Sequence, residues 1–199
     1  MASDLKLAHV VLQTSRLAEM RDFYGRVLGA HVVFETDESC LMTFDEEHHR
    51  VAFTQPPFPL ENKSPMAAGL HHSAYSFASI DGLLEHYSRL AAGGVVPDVC
   101  AQHGVTTSMY YLDPDGNFIE LQVDNFPTPE ASIEYMMGPE YTADAAGPTF
   151  DPERMIQARR EGVDLAVVST RAWALAGPPR PAVMEAFGAA LADFASARS

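Results

Sequence analysis

Along about residues 5 to 124 the apolar positions switch repeatedly between two periods. Alternation of apolar and polar residues marks strands, and apolar residues three or four apart mark amphipathic helices. The first helix has Leu17, Met20, Tyr24, Val27 and Leu28 on its apolar stripe, with Ser15 as the expected cap and Gly29 just past its end. The second has Ile80, Leu83, Leu84, Tyr87 and Leu90 and ends at Gly93 and Gly94. Each helix follows a short strand and precedes three more, predicted over 31–36, 40–45 and 49–54 in the first set and 95–100, 106–112 and 117–123 in the second. Residues 7–30 fall on 70–93 at a constant separation of 63, which superposes Leu7 on Leu70, His9 on His72, Tyr24 on Tyr87 and Arg26 on Arg89. The plan is a βαβββ unit used twice, an α+β chain with modules at about 5–55 and 69–124.

Residues 55–69, rich in proline and polar side chains, read as the linker between the modules. Beyond residue 124 the alternation stops. The segments 128–137, 151–161 and 181–195 read as helices, so the expected division is a domain at 1–124 and a mainly helical C-terminal extension at 125–199. On the last helix Met184, Phe187, Leu191 and Phe194 form a stripe, expected to pack on the body of the protein or on another subunit.

The stretch DPDGNFIELQ, residues 113–122, is a hairpin turn followed by a strand, and the strand carries Glu120 in its middle. Ile119, Leu121 and Val123 share one face, Phe118, Glu120 and Gln122 the other. A carboxylate there is either solvent-facing or buried, and burial requires a positive partner or a metal.

At 199 residues the chain is long enough for a substantial core, with 47% hydrophobic residues. A net charge of −14 disfavours nucleic acid and anionic membranes as partners. No apolar run is of membrane-spanning length, the N-terminus MASDLKLAHV lacks the pattern of a signal peptide, and Cys40 and Cys100 are the only cysteines. A cytoplasmic, disulfide-free protein is expected. Exposed sheet edges and the helical tail lead us to expect a homo-oligomer.

The repeat places His9 and His72 at equivalent points of the first strand in each module. Together with Glu120 they make a set of two imidazoles and one carboxylate, the donor set that leaves three open positions on non-haem iron(II).

The fragments LAHVVLQT, DFYGRVLGA, HHRVAF, LHHSAYSF and YYLDPDGNFIELQ, in that order, resemble the vicinal oxygen chelate superfamily, and within it the one-domain type I extradiol ring-cleavage dioxygenases. The resemblance spans about residues 5 to 124. It implies that the two modules pair into one metal-centred funnel, that Fe(2+) or Mn(2+) is held by His9, His72 and Glu120, and that the substrates are a catechol-type diol and O2. It implies His49 as the acid or base, Tyr110 as hydrogen-bond donor to the substrate hydroxyl, and His103, at a slightly irregular spacing, as a further active-site histidine. Phe53, Met109, Tyr111 and Phe118 are candidates for the pocket wall. His48 and His71 adjoin His49 and His72 and should point the opposite way in a regular strand, although a bulge would exchange either pair. His31 and His86 are expected to be exposed. Rival readings within the superfamily are a fosfomycin-resistance-type metal-dependent thiol transferase, a glyoxalase-like isomerase and a metal-free drug-binding protein. The thiol transferase would need more cations than the Arg50 and Lys63 found between the two helices. The isomerase would want a carboxylate where His48, His49 and Arg50 stand, and the drug binder would lack the full ligand set.

Overall fold

The computed structural model describes residues 4–64 and 68–197, so residues 1–3, 65–67 of the linker, and 198–199 lie outside it. The described chain divides into two compact units: residues 1–68 with 113–117, and residues 69–112 with 118–199.

The first unit is built on a mixed sheet in the order β1-β4-β3-β2, from β1 (Val10–Gln13), β2 (His31–Glu35), β3 (Ser39–Thr43) and β4 (Val51–Thr54). β1 and β4 run parallel and the other pairs antiparallel. Helix α1 (Leu17–Leu28) packs on β3 and β4 with Leu17, Met20, Phe23, Tyr24 and Val27 buried, which adds Phe23 to the predicted stripe and leaves Leu28 only half-buried. Each such side chain contributes about 1.5–3 kcal/mol by leaving water. Gly29 ends the helix at φ 67°, a left-handed conformation that suits glycine. The start differs from expectation: Arg16, not Ser15, holds the N-cap position without a side-chain cap, because Thr14 Oγ1 turns the chain earlier by accepting the Arg16 N–H at 2.8 Å.

The second unit repeats the plan: β5 (His72–Ser76), α2 (Ile80–Ala92), β6 (Val99–Gln102), β7 (Thr106–Leu112) and β8 (Phe118–Asp124), with sheet order β5-β8-β7-β6 and β5 parallel to β8. Ser79 caps α2 by accepting the Gly82 N–H at 3.1 Å. The extension belongs to this unit and comprises α3 (Pro129–Met136), α4 (Pro139–Ala143), α5 (Pro152–Arg160), α6 (Leu165–Val168), α7 (Arg171–Leu175) and α8 (Val183–Ser196). The short helices α4, α6 and α7 had no counterpart among the predicted segments.

β7 and β8 are buried on both faces, which the alternation could not reveal. Helix α2 lies against β8 on one side, and α8 lies against β6 on the other. Val183 and Phe187 of α8 join Val99, Ala101, Tyr110 and Phe118 in one apolar cluster, with Ala190 and Leu191 at its border. The inward stripe therefore starts one residue earlier than predicted, and Met184 is 67% exposed. Helix α5 packs on α2, where Arg159 forms a two-bond ion pair with Asp81 and Tyr87 Oη donates to Glu153 at 3.0 Å. His86 is buried rather than exposed, its ring 5.0 Å from that of Phe77 and in contact with Arg89. His31 is exposed as expected. Among the described residues no helix is long and apolar enough to cross a membrane.

Candidate active site

In the second unit the register of two strand pairs assembles the polar cluster. β8 sets Ala74 beside Glu120 in the parallel pair and Tyr110 beside Glu120 in the antiparallel pair. His72, two residues before Ala74, therefore shares the face of Glu120, and its Nε2 lies 3.1 Å from Glu120 Oε2. The carboxylate is 4% exposed. Burial alone would raise its pKa, but hydrogen bonds from His72, Ser108 and Tyr110 outweigh that effect and hold the carboxyl below its ordinary value. Glu120 is thus an ionised, buried carboxylate, not a solvent-facing strand residue. Burial, and then the neighbouring Glu120 charge, push the Tyr110 hydroxyl well above its ordinary pKa, so it stays protonated and can donate. The His72 ring meets the Tyr110 ring edge-on at 5.5 Å, and His103 Nε2 lies 2.9 Å from Tyr110 Oη. Of the proposed wall residues, Phe118 lies on the Glu120 face. Met109 and Tyr111 occupy the opposite face, and Phe53 is buried in the first unit against Tyr24 at 4.8 Å.

In the first unit His9 and His49 lie side by side, ring centroids 4.3 Å apart. Both precede their strands, and His72 is the first residue of β5; none of the three is mid-strand. β4 starts at Val51 because residues 43–50 form a cross-braced turn. Thr43 Oγ1 donates to the Glu47 carbonyl at 2.8 Å, while Arg50 joins Asp45 at 2.9 Å and the carbonyls of Leu7 and Ala8 at 2.7 and 3.1 Å. Arg50 thereby ties the turn bearing His49 to the segment bearing His9. Burial, followed by the neighbouring His9 and His48, holds His49 below the usual histidine pKa.

The opposite-face expectation for His48 and His71 is overturned. His48 Nδ1 is 2.6 Å from His49 Nδ1, and His71 Nδ1 is 2.8 Å from His72 Nδ1. Strand alternation does not govern these pairs because one or both members lie outside the strand. The His71 ring is stacked on Phe118 at 5.5 Å and meets Phe187 edge-on at 5.1 Å.

The residues expected as ligands are divided between the units, with His9 in the first and His72 and Glu120 in the second. Among the described residues no three His, Cys, Asp or Glu side chains are gathered closely enough to hold a metal. The chemistry of the donors nevertheless fits a divalent cation: Glu120 is ionised although buried, and two imidazoles with one carboxylate suit iron or manganese. Two residues of the extension border this cluster and were not anticipated as site residues. Phe187 packs on Tyr110 at 4.8 Å, and Arg171 binds the His103 carbonyl. The stripe on α8 signalled Phe187 as a packing residue, whereas nothing in the sequence marks Arg171.

The profile described as Glyoxalase/Bleomycin resistance protein/Dioxygenase superfamily matches residues 6–121. Biphenyl-2,3-diol 1,2-dioxygenase 2 of Rhodococcus globerulus is 52% identical over 179 residues, covering 90% of this chain and 94% of that protein. Biphenyl-2,3-diol 1,2-dioxygenase 3 of the same organism is 51% identical over 171 residues, covering 85% and 90%. Among solved structures, the fosfomycin resistance protein FosX of Listeria monocytogenes, complexed with Mn(II) and sulfate, is similar at a TM-score of 0.49 and 19% identity over 68% of this chain and 98% of that one, a likeness that does not speak to activity. With two βαβββ units and a profile match across more than half its residues, this chain belongs to the Glyoxalase/Bleomycin resistance protein/Dioxygenase superfamily, where dioxygenases are its near relatives.

Proposed function

We propose that this extradiol ring-cleavage dioxygenase holds iron(II), or manganese(II) in its place, through His9, His72 and Glu120, and opens a biphenyl-2,3-diol or a catechol of similar bulk beside its two hydroxyls. The observation that carries the reading is the buried, ionised Glu120 bonded to His72 and Tyr110. When bound, the metal would supply adjacent positions for both diol oxygens and for O2, so that electrons can pass from ring to oxygen.

The chain's own residues supply the rest. Glu120 Oε2 and His72 Nε2 stand side by side 3.1 Å apart, so both donors are at hand for a cation that displaces the proton between them. Tyr110, kept protonated, donates a hydrogen bond to a substrate oxygen as negative charge develops there. His103 holds the Tyr110 hydroxyl from its other side. His49, neutral near pH 7, accepts a proton from a diol hydroxyl and returns it later in the cycle. Phe118, Phe187 and the ring of His71 give an aromatic border suited to an aryl substituent. Residues 1–124 are read as the catalytic domain and 125–199 as an extension that completes it. The all-exposed edge strand β2, with Val32, Val33 and Phe34, supports a homo-oligomer, and the buried free thiols Cys40 and Cys100 suit a reducing cytoplasm.

The test is anaerobic loading with iron(II), metal analysis, addition of 2,3-dihydroxybiphenyl or catechol, and admission of air. Metal bound and a yellow ring-opened product are expected, with both lost in Glu120→Ala. Full metal and turnover in Glu120→Ala would remove the assignment, and an absence of bound metal in the parent chain would favour a drug-binding protein.

A further inference from the structure

The C-terminal extension buries a cation among main-chain oxygens. Arg171, on α7, is 5% exposed. Its Nη1 donates to the carbonyls of Asp144 at 2.7 Å and Glu140 at 3.2 Å, and its Nε donates to the His103 carbonyl at 3.0 Å, with Nη2 on the same oxygen. A guanidinium taken out of water costs several kcal/mol unless its donors are met, and here the rigid fork spends them on two separate stretches of backbone. One stretch is the turn between β6 and β7 that carries His103. The other is the end of α4 and the loop after it, whose Ala145 and Ala146 backbone faces the His103 ring.

The same loop is pressed onto the strand beside His103. Gln102 N donates to the Pro148 carbonyl at 2.8 Å, and Ala101 pairs with Thr149. Gly147, at φ 69°, leaves no room for a side chain: a Cβ there would collide with the Gln102 carbonyl oxygen and press on Arg171 Nε. His103 is thus held at its backbone and at its ring, leaving Nε2 on the Tyr110 hydroxyl at 2.9 Å.

We infer that Arg171 is a positioning residue for ring cleavage: by gripping the His103 carbonyl and the 140–144 backbone together, it fixes the His103 imidazole against the Tyr110 hydroxyl and so aims that hydroxyl at the diol. The inference rests on the ring-cleavage reading and deepens it, since it gives the extension a share in the reaction. A displacement of the order of 1 Å at a reacting group costs about 100-fold in rate, so loosening this clamp should tell on kcat.

The experiment compares Arg171→Met with Arg154→Met in the full-length, metal-loaded chain. Arg154 is a second arginine of the extension bound to backbone, donating to the Trp173 carbonyl of α7 at 2.9 Å and stacked on that indole at 3.9 Å, and it makes no hydrogen bond to His103. Arg171→Met should lower kcat by about 10- to 100-fold, with KM and metal content within about twofold. Combined with His103→Ala it should add less than about twofold to the loss from His103→Ala alone, because both act on one hydroxyl. Arg154→Met should lower the melting temperature without lowering kcat. On metal-free protein, the 15N resonance of His103 Nε2, assigned by its loss in His103→Gln, should move in Arg171→Met and stay in place in Arg154→Met.

A folded Arg171→Met with kcat within about twofold of the parent, an unmoved His103 resonance, or losses that multiply with those of His103→Ala would each overturn the inference. If Arg171→Met does not fold, Arg171→Lys, which keeps the charge but lacks the fork, is read by the same two measurements, and parental values of both overturn it. A parent chain that binds metal without cleaving diols, while the His103 resonance still moves in Arg171→Met, supports the clamp and sinks the ring-cleavage reading instead.

Discussion

Phe187→Ala tests whether the extension is part of the folded body or an ornament on it. Phe187 is 7% exposed and meets three aromatic rings: Tyr110 at 4.8 Å, Phe118 at 4.9 Å and His71 at 5.1 Å. Truncating a buried phenylalanine costs about 3–5 kcal/mol, as lost transfer energy plus the cavity left behind. Three edge-on contacts argue for the full cost, each ring pair adding roughly 0.5–1.5 kcal/mol beyond area. Against that, α8 is a surface helix anchored also by Val183 and Leu191, and it can settle partly into the gap. About 3 kcal/mol is the expected loss, a large part of the roughly 5–15 kcal/mol that holds a typical domain together. Met184, three residues away on the same helix and 67% exposed, is the internal comparison, and Met184→Ala should cost less than about 0.5 kcal/mol. Urea titrations followed by far-UV circular dichroism measure both, as midpoint shifts at constant slope. A loss below about 1 kcal/mol for Phe187→Ala, or equal losses for the two variants, would mean that α8 does not sit in the described register.

His49→Phe should retain metal yet slow turnover by about 10²- to 10⁴-fold, while His48→Phe, whose ring touches His49, should lose only a few-fold; steady-state rates on metal-quantified samples decide, and the reverse order would transfer the acid-base role to His48. Asp113→Ala should lower stability by about 2–4 kcal/mol in thermal or urea unfolding, because the carboxylate accepts from Tyr24 Oη, from the amides of Asp115 and Asn117, and from Asn117 Nδ2; a change under about 0.5 kcal/mol would show that water replaces it freely.

What could be read from the chain was whatever depends on local periodicity. The α1 and α2 stripes, the Gly29 terminus and the β7–β8 hairpin are carried by residues within a few positions of one another, and the relation of His9 to His72 by a local pattern that recurs 63 residues on. What could not be read depends on distant partners. His86 looks like an exposed helix residue until the Phe77 ring, from outside its helix, is seen against it. The inward edge of α8 is set by Tyr110 and Phe118, so periodicity alone left the stripe one residue out. Around His49 the sequence did hold a clue that alternation obscured: the charged run from Asp45 to Arg50 is a braced turn, so the strand before it ends at Thr43 and the strand after it begins at Val51, each two residues short of its predicted bound. Arg171 is harder still, since its partners come from His103, Glu140 and Asp144.

The turn 113–117 groups with the first unit although the strands on either side of it belong to the second. The first unit is therefore not a continuous stretch of chain. A fragment ending at residue 68 would lack Asp113, Asp115 and Asn117, and with them the partners of Tyr24 Oη, Arg16 and Lys63. The two halves are visibly copies of one plan, yet neither a protease nor a gene truncation can release the first with its fold complete. Any cut between the modules therefore leaves the first without five residues that its own contacts require.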